Sequence, residues 1–140
     1  MNPLHDTIVS LSTALTLQAV SIIRLSGDRA LEITEQLIKK SLTNQDHRLT
    51  YGFVHEHEQV VDEVIVLTMK APRSYTREDV VEIQCHGGIY VTQKILSLVL
   101  GCGARLAHNG EFTQRALMNG RIDVSQAEAI NDLVNADSEQ

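Results

Sequence analysis

The stretch SYTREDVVEIQCHGG, residues 74–88, decides the fold because it joins a loop, a β-strand and a glycine break. Its middle, Val80–Cys85, is rich in β-branched residues, which is typical of a strand. Alternate residues of a strand share a face. The apolar set forms the expected core face: Val81, Ile83 and Cys85. The polar set forms a row of hydrogen-bonding groups on the opposite face: Glu82, Gln84 and His86.

The composition is that of one ordinary globular domain. The chain has 140 residues, of which 43% are hydrophobic and 21% charged. Its net charge of -6 argues against a broad nucleic-acid-binding surface, which needs clustered Lys and Arg. No apolar run approaches the ~20 residues of a membrane span, and the first residues lack signal-peptide features. We therefore expect a cytoplasmic protein with no membrane contact, whose Cys85 and Cys102 are free thiols.

The rest of the chain alternates strand and helix signals around this stretch. Strands are predicted at 7–12, 19–25, 49–55, 60–69 and 104–107, and helices from Ser26 or Asp28 to about Lys40, at 89–100 and at 111–118. Val64–Leu67 is apolar on both faces, which predicts a strand covered on both sides. The strand–helix–strand order from Val80 to Ala107 predicts either a direct βαβ crossover or its split form. Ser125–Glu128 fits a capping box that begins a last helix, with an apolar stripe at Ile130, Leu133 and Val134.

Several kinds of chemistry are excluded by the sequence or disfavoured by it. No glycine is followed by lysine, so the chain has no P-loop, and we expect no GTPase activity from it alone. Cys85 and His86 are adjacent on a strand and point to opposite faces, which argues against a nucleophilic pair. His55 and His57 are better interpreted as a solvated turn than as metal ligands, because no third ligand is close in sequence.

Three blocks of the sequence resemble the N-terminal domain of the tRNA-modification GTPases of the MnmE/TrmE family. The first block comprises PRSYT (72–76), EDVVEI (78–83) and CHGG (85–88). The second comprises GEFTQRA (110–116), NGRID (119–123) and SQAEA (125–129), and the third DTI (6–8) and IIRLSG (22–27). The resemblance covers nearly the whole chain in the family's order. It implies an α+β fold, a mixed β-sheet with flanking helices that resembles the folate-binding domain of the glycine-cleavage T protein.

The resemblance also implies binding of a tetrahydrofolate derivative and formation of a homodimer. The residues that match the family's folate-binding positions are Arg24, Glu82 and Arg121. A carboxylate such as that of Glu82 suits the adjacent ring N–H and exocyclic amine of a reduced pterin. Arginine forms two-pronged bonds with carboxylates such as those of the folate tail. Either arginine fits the tail or the one-carbon group, and from sequence Arg24 also fits a structural arginine at a strand end.

For the whole protein, the resemblance implies modification of the wobble uridine of certain tRNAs. The folate, as 5-formyl- or 5,10-methylene-tetrahydrofolate, would supply a one-carbon unit. GTP, magnesium and potassium would bind in a GTPase domain outside this sequence, and a MnmG-like flavoprotein would be the partner. The expected division is a folate-binding and dimerisation domain at 1–123 and the truncated start of a helical domain at 124–140.

Two alternatives have their own sequence features. The family usually has a proline- and glycine-rich loop where this chain has Thr13–Gln18, and a proline where it has Asn109. Both departures favour an assembly module that has lost folate binding. A stand-alone enzyme similar to aminomethyltransferases is the weaker alternative, because this chain is far shorter than such enzymes.

Overall fold

The fold is an α+β structure built on one mixed six-stranded sheet. The computed structural model describes residues 6–13, 20–42 and 46–130. In chain order the elements are β1 (Ile8–Leu11), β2 (Val20–Ser26), α1 (Ala30–Ile38), β3 (Arg48–Glu56), β4 (Gln59–Met69), β5 (Val80–His86), α2 (Ile89–Gly101), β6 (Arg105–Leu106) and α3 (Glu111–Met118). A further helix, α4, is described over 124–130. The predicted α+β class with flanking helices is confirmed, and the likeness to the T protein stays a prediction.

The strand order is β3-β4-β5-β2-β1-β6, which puts β5 inside the sheet. β5 pairs antiparallel with both β4 and β2, β2 pairs antiparallel with β1, and β1 pairs parallel with β6. β5 and β6 therefore run in the same direction, with two strands between them. Of the two predicted connections, the structure has the split form.

The core lies between one face of the sheet and the helices α1 and α2. The predicted core face of β5 is confirmed, since Val81, Ile83 and Cys85 are each at most 3% exposed. Buried residues of the same cluster come from the other strands and from both helices: Ile23, Leu25, Val64, Val66, Ile33, Ile95 and Val99. Burial of these aliphatic side chains stabilises the sheet against the helices, at roughly 25 cal/mol for each Å² of apolar surface removed from water.

The opposite face of the sheet is open at β3 and β4, which corrects the prediction for Val64–Leu67. Val64 and Val66 are buried, but Ile65 is 42% exposed. Neighbouring residues of β3 on this face, Tyr51 and Phe53, are also exposed, and their rings meet edge to face. The prediction was wrong because α1 and α2 both contact the same face, whereas a doubly covered strand needs a helix layer on each side.

The ends of α1 differ from those predicted. Neither Ser26 nor Asp28 caps the helix; instead the Arg29 N–H donates to Oγ1 of Thr7, 2.9 Å away on the neighbouring chain segment. Gly27 allows this approach, because a Cβ there would lie 2.6 Å from the Thr7 Cα. The helix ends at Ile38, before the predicted Lys40, because Lys39 adopts a left-handed conformation with φ of 57°.

Specific hydrogen bonds set the end of α3 and the start of α4. The predicted stop of α3 at Asn119–Gly120 is confirmed: Gly120 donates to Leu117, and the next backbone N–H donates to the Ala116 carbonyl, which is a Schellman motif. The predicted capping box at Ser125–Glu128 is wrong.

The box that forms at α4 joins Asp123 and Gln126. The Gln126 N–H donates to Asp123 Oδ1 at 2.7 Å, and the Asp123 N–H donates to Gln126 Oε1 at 2.9 Å. The helix therefore begins two residues earlier than the predicted box required, at Val124, directly after the predicted domain boundary. That boundary stays a prediction. Ile130 of the predicted stripe is partly buried, and the remainder of the stripe lies outside the described residues.

A buried ionic network joins α3 to the sheet. Arg105 of β6 donates two hydrogen bonds to the Glu111 carboxylate, of 3.0 and 2.6 Å. Arg115 donates a hydrogen bond of 3.1 Å to the Glu78 carboxylate. Arg115 also donates to the Asp6 carbonyl at 2.5 Å. Glu111 and Arg115 are only 8% and 3% exposed, so each charge depends on its partners.

The network sets the protonation of Glu111. Its hydrogen bonds with Arg105 hold the Glu111 pKa at about 2, well below the usual value of 4.5. Because the folded-state pKa is depressed, the stabilisation is complete above pH 4.5 and is lost as the pH falls towards 2.

We expect Glu111→Gln to lower the free energy of unfolding by about 3 kcal/mol at pH 7, because it leaves Arg105 and Arg115 short of a charged partner. The difference from the parent protein should shrink to about 1 kcal/mol near pH 3, since Glu111 is by then losing its stabilising effect. Urea unfolding at both pH values measures this. Glu32→Gln, in an exposed pair with Arg29, is the control and should change stability little at either pH. A pH-independent difference for Glu111→Gln would contradict the assignment.

Candidate functional site

The candidate site lies on the open face of the sheet, where β2 and β5 pair. Arg24 is directly opposite Glu82 in the register, and Ile22 is opposite Gln84. The predicted polar row on β5 is confirmed, because Glu82 and Gln84 are partly exposed and His86 is exposed on the face away from α1 and α2. Cross-strand pairing thus brings together two of the three predicted site residues, Arg24 and Glu82, although 57 residues separate them along the chain.

Arg24 and Glu82 form a close ion pair. Nε and Nη2 of Arg24 lie 2.8 and 2.6 Å from the same carboxylate oxygen, Oε2. Glu82 is 13% exposed and Arg24 37% exposed at the side chain. Within residues 6–13, 20–42 and 46–130, the second oxygen of Glu82, Oε1, makes no hydrogen bond. The pair therefore presents one acceptor atom and several guanidinium N–H groups on the open face.

The first turn of α3 completes the surroundings of the pair. The Arg24 guanidinium carbon lies 5.9 Å from the centre of the Phe112 ring, which is within the range of a cation–π interaction. Glu82 and Phe112 together hold Arg24. Phe112 was not among the predicted site residues, because only the tertiary placement of α3 brings it to β2.

The third predicted residue, Arg121, lies in a different depression. Its neighbours there include Arg73 and Arg77, and neither Arg24 nor Glu82 lines that depression. Arg121 follows the Schellman motif that ends α3, so the same helix that carries Phe112 also positions Arg121. Neither Arg73 nor Arg77 was predicted as a site residue.

A shallow groove of about 200 Å³ continues the open face towards β3. Side chains from four strands line it, among them Val20, Tyr51, Ile65 and His86. Beside His86, at one end of the groove, the Asp62 carboxylate accepts two hydrogen bonds from that residue. One comes from the ring Nδ1 at 2.6 Å and the other from the backbone N–H at 2.8 Å.

The two cysteines are free thiols, as predicted. Cys85 faces the core, where its Sγ lies 3.6 Å from the Ser21 carbonyl, and burial raises the pKa of its thiol. His86 is turned instead to Asp62, so the two adjacent residues do not form a nucleophilic pair.

The described residues contain no cluster of three or more His, Cys, Asp or Glu side chains arranged to hold a metal ion. No helix in this part of the chain has the length and apolar character to cross a membrane. Of the loop predicted to depart from the family, Thr13 accepts a hydrogen bond from the Ile22 N–H at 3.3 Å, and residues 14–18 lie outside the described part.

The fold and the site define a class of α+β domain with one covered and one open sheet face, the open face carrying an arginine–carboxylate pair. The chain matches the family described as GTP-binding protein TrmE N-terminus over residues 7–121. It belongs to that family.

Three of its relatives carry the name tRNA modification GTPase MnmE. The chain is 49% identical to the one from Lachnoclostridium phytofermentans, with 96% of the chain and 31% of that relative covered. It is 52% identical to the one from Lactococcus lactis subsp. lactis, with 96% and 30% covered, and 54% identical to the one from Thermoanaerobacter pseudethanolicus, with 94% and 30% covered. The chain therefore spans about three tenths of the length of the curated relatives it matches.

We expect Arg24→Ala to lower the free energy of unfolding by only about 1 kcal/mol, because the pair and the ring contact are both partly exposed to solvent. Thermal unfolding of the unliganded protein measures this. A loss of 3 kcal/mol or more, the size seen when a buried ion pair is broken, would show that Arg24 is mainly structural.

Proposed function

We propose that this chain is the tetrahydrofolate-derivative-binding and dimerisation domain of a MnmE-like GTPase that modifies tRNA. The observation that carries the proposal is the Arg24–Glu82 pair on the open sheet face, at two positions where the family resemblance expects folate contacts. Family membership over residues 7–121 supports it.

Glu82 has the chemistry to recognise the pterin. A reduced pterin presents a ring N–H and an exocyclic amine side by side, and a carboxylate accepts from both. Arg24 already occupies Oε2 of Glu82, and among the described residues Oε1 has no partner, so the carboxylate has lone pairs left for a ligand. Because Arg24 adjoins Glu82 and Phe112, we assign it to the pterin and one-carbon end, and we assign Arg121 to the carboxylates of the tail.

Glu82→Gln tests this assignment, because it keeps the shape of the side chain and replaces one acceptor oxygen with a donor. Binding of 5-formyl-tetrahydrofolate, measured by titration calorimetry, should weaken by roughly 1.5–3 kcal/mol, the range for a hydrogen bond to a charged group. Arg24→Ala and Arg121→Ala should also weaken binding by more than they destabilise the fold.

Glu63→Gln is the matched control, since Glu63 is an exposed glutamate on β4 that faces the same side of the sheet. Its affinity for the folate should equal that of the parent protein. If Glu82→Gln binds 5-formyl-tetrahydrofolate as tightly as the parent protein and unfolds at the same temperature, Glu82 does not recognise the pterin.

The open apolar face supports the proposal of a homodimer. Exposed large apolar side chains from two neighbouring strands lie on it: Leu49, Tyr51 and Phe53 of β3 and Ile65 of β4. Val20 of β2 is also exposed, on the far side of β5 from them. A contiguous apolar surface of this kind is typical of an interaction site. A second copy of the same face would give a two-fold symmetric pair, the commonest form of homo-oligomer.

We expect the chain to sediment as a dimer at tens of micromolar, and Ile65→Lys to shift it towards monomer, because a charge would be buried in the interface. Tyr90→Lys is the control, since Tyr90 is 77% exposed on α2, on the other side of the sheet. Residues 1–123 should also dimerise. If they are monomeric while residues 1–140 are dimeric, the association belongs to the last helix and the proposed interface is wrong.

In the whole protein, this domain would hold the one-carbon donor, 5-formyl- or 5,10-methylene-tetrahydrofolate, for modification of the wobble uridine of tRNA in the cytoplasm. GTP, magnesium and potassium would bind to a GTPase domain outside this sequence, and a MnmG-like flavoprotein would complete the reaction. The second candidate, a dimerisation module without folate binding, is supported by the departures at Thr13–Gln18 and Asn109. A dimer that does not bind folate would favour it.

A further inference from the structure

Three arginines meet at a depression beyond the end of α3, although the chain as a whole has a net charge of -6. The depression has a volume of about 440 Å³. Six residues line it: His47, Pro72, Arg73, Ser74, Arg77 and Arg121. No carboxylate is among these lining residues, so the depression favours anions.

The surrounding contacts hold the arginines in place but leave donors for a ligand. Asp46, outside the lining, bonds Arg73 and also accepts the Lys70 N–H at 3.0 Å. The Arg73 side chain nevertheless remains 72% exposed. Arg77 donates through one nitrogen to the Asn119 carbonyl at 3.1 Å. A guanidinium has five N–H donors, so each of these contacts uses only part of the set.

The backbone at Arg77 supports a specific use of its side chain. Its φ of 62° lies in the left-handed region, which costs conformational energy for any residue with a Cβ and little for glycine. Arg77 thus occupies a position whose backbone conformation glycine would adopt without strain. Strain of this kind persists where the surroundings enforce it, and it is common at ligand sites.

The depression lies one helix length from the proposed pterin site. Arg24 contacts Phe112 at the first turn of α3, and Arg77 contacts Asn119 at its end. Between them, the hydroxyl of Tyr75 lies 3.1 Å from that of Thr113, so the loop that carries Arg73 and Arg77 runs beside the helix. Seven residues of helix span about 10 Å, a distance that the aminobenzoyl-glutamate part of a folate can cross.

We infer that this depression binds the γ-linked glutamate tail of a polyglutamylated folate. The inference rests on the proposed folate function. It adds a preference for folates with several glutamates, which contacts with Arg24 and Glu82 alone would not give. Each added glutamate brings one more carboxylate, and guanidinium groups bind carboxylates with paired, charge-assisted hydrogen bonds. Arg121 would bind the first glutamate, and Arg73 and Arg77 those that follow.

The test compares the mono- and triglutamate forms of 5-formyl-tetrahydrofolate by titration of the 140-residue protein at low ionic strength, where exposed charges are least screened. The triglutamate should bind about tenfold more tightly than the monoglutamate. In Arg77→Gly and in Arg73→Gln the ratio of the two affinities should fall towards one. Arg77→Gly suits the left-handed backbone, so it removes the charge while relaxing the loop.

Arg29→Gln is the matched control, because it removes one exposed positive charge at the start of α1, outside the depression. It should leave the ratio at the parent value, and an equal fall in this variant would overturn the inference as a general charge effect. The ratio of the two affinities distinguishes tail recognition from folding, because a folding defect lowers the affinity for both ligands by the same factor.

Three further results would overturn the inference. If the parent protein binds both forms with equal affinity, the inference of a tail site is wrong, but the proposed folate function is not contradicted. If the parent protein binds neither form, both the tail site and the proposed folate function are wrong. A tRNA-sized RNA hairpin that binds through Arg73 and Arg77, with no preference between the folates, would assign the depression to RNA instead.

Discussion

The buried ionic network between α3 and the sheet is the constraint on which the rest of the site depends. Glu111 lies between Arg105 of β6 and Arg115 of its own helix, and Arg115 reaches Glu78 in the loop before β5. Charges this deeply buried need several partners at once, which leaves α3 few alternative positions. The position it takes brings Phe112 to Arg24 at one end and Arg121 to the arginine-lined depression at the other.

The same network orders the loop between β4 and β5. Glu78 accepts from Arg115 and from the hydroxyl of Ser26, and that hydroxyl also lies 2.7 Å from the hydroxyl of buried Thr76. The Thr76 carbonyl in turn accepts from the Asn119 side chain at 2.8 Å. The loop is thus tied to the end of β2 and to the end of α3, so its exposed arginines are carried on an anchored segment.

The arrangement of helices explains why one sheet has both a buried core face and an open face. α1 and α2 pack on the same side, so β5 buries its apolar set there and turns Glu82 and Gln84 to the other side. On that open side, polar groups gather at β2 and β5, and apolar side chains gather at β3 and β4. The proposed ligand site and the proposed subunit interface therefore occupy different parts of the same face.

The sequence by itself determined the elements that depend on local patterns. The strand at Val80, the helix at 89–100, the stop at Asn119–Gly120 and the two faces of β5 all follow from periodicity and turn chemistry, which involve near neighbours. The family resemblance also indicated Arg24, Glu82 and Arg121 as candidate site residues.

Only the tertiary structure decided which of these residues meet. Arg24 and Glu82 pair because β2 and β5 are adjacent and in register, while Arg121 is held with Arg73 and Arg77 beyond α3. Whether Ile65 is covered or open depended on where two distant helices pack. Arg115 meets Glu78 although the two residues are 37 positions apart along the chain. Such contacts have no local period in the sequence, because they arise from packing between segments that lie far apart along the chain or turn back on one another.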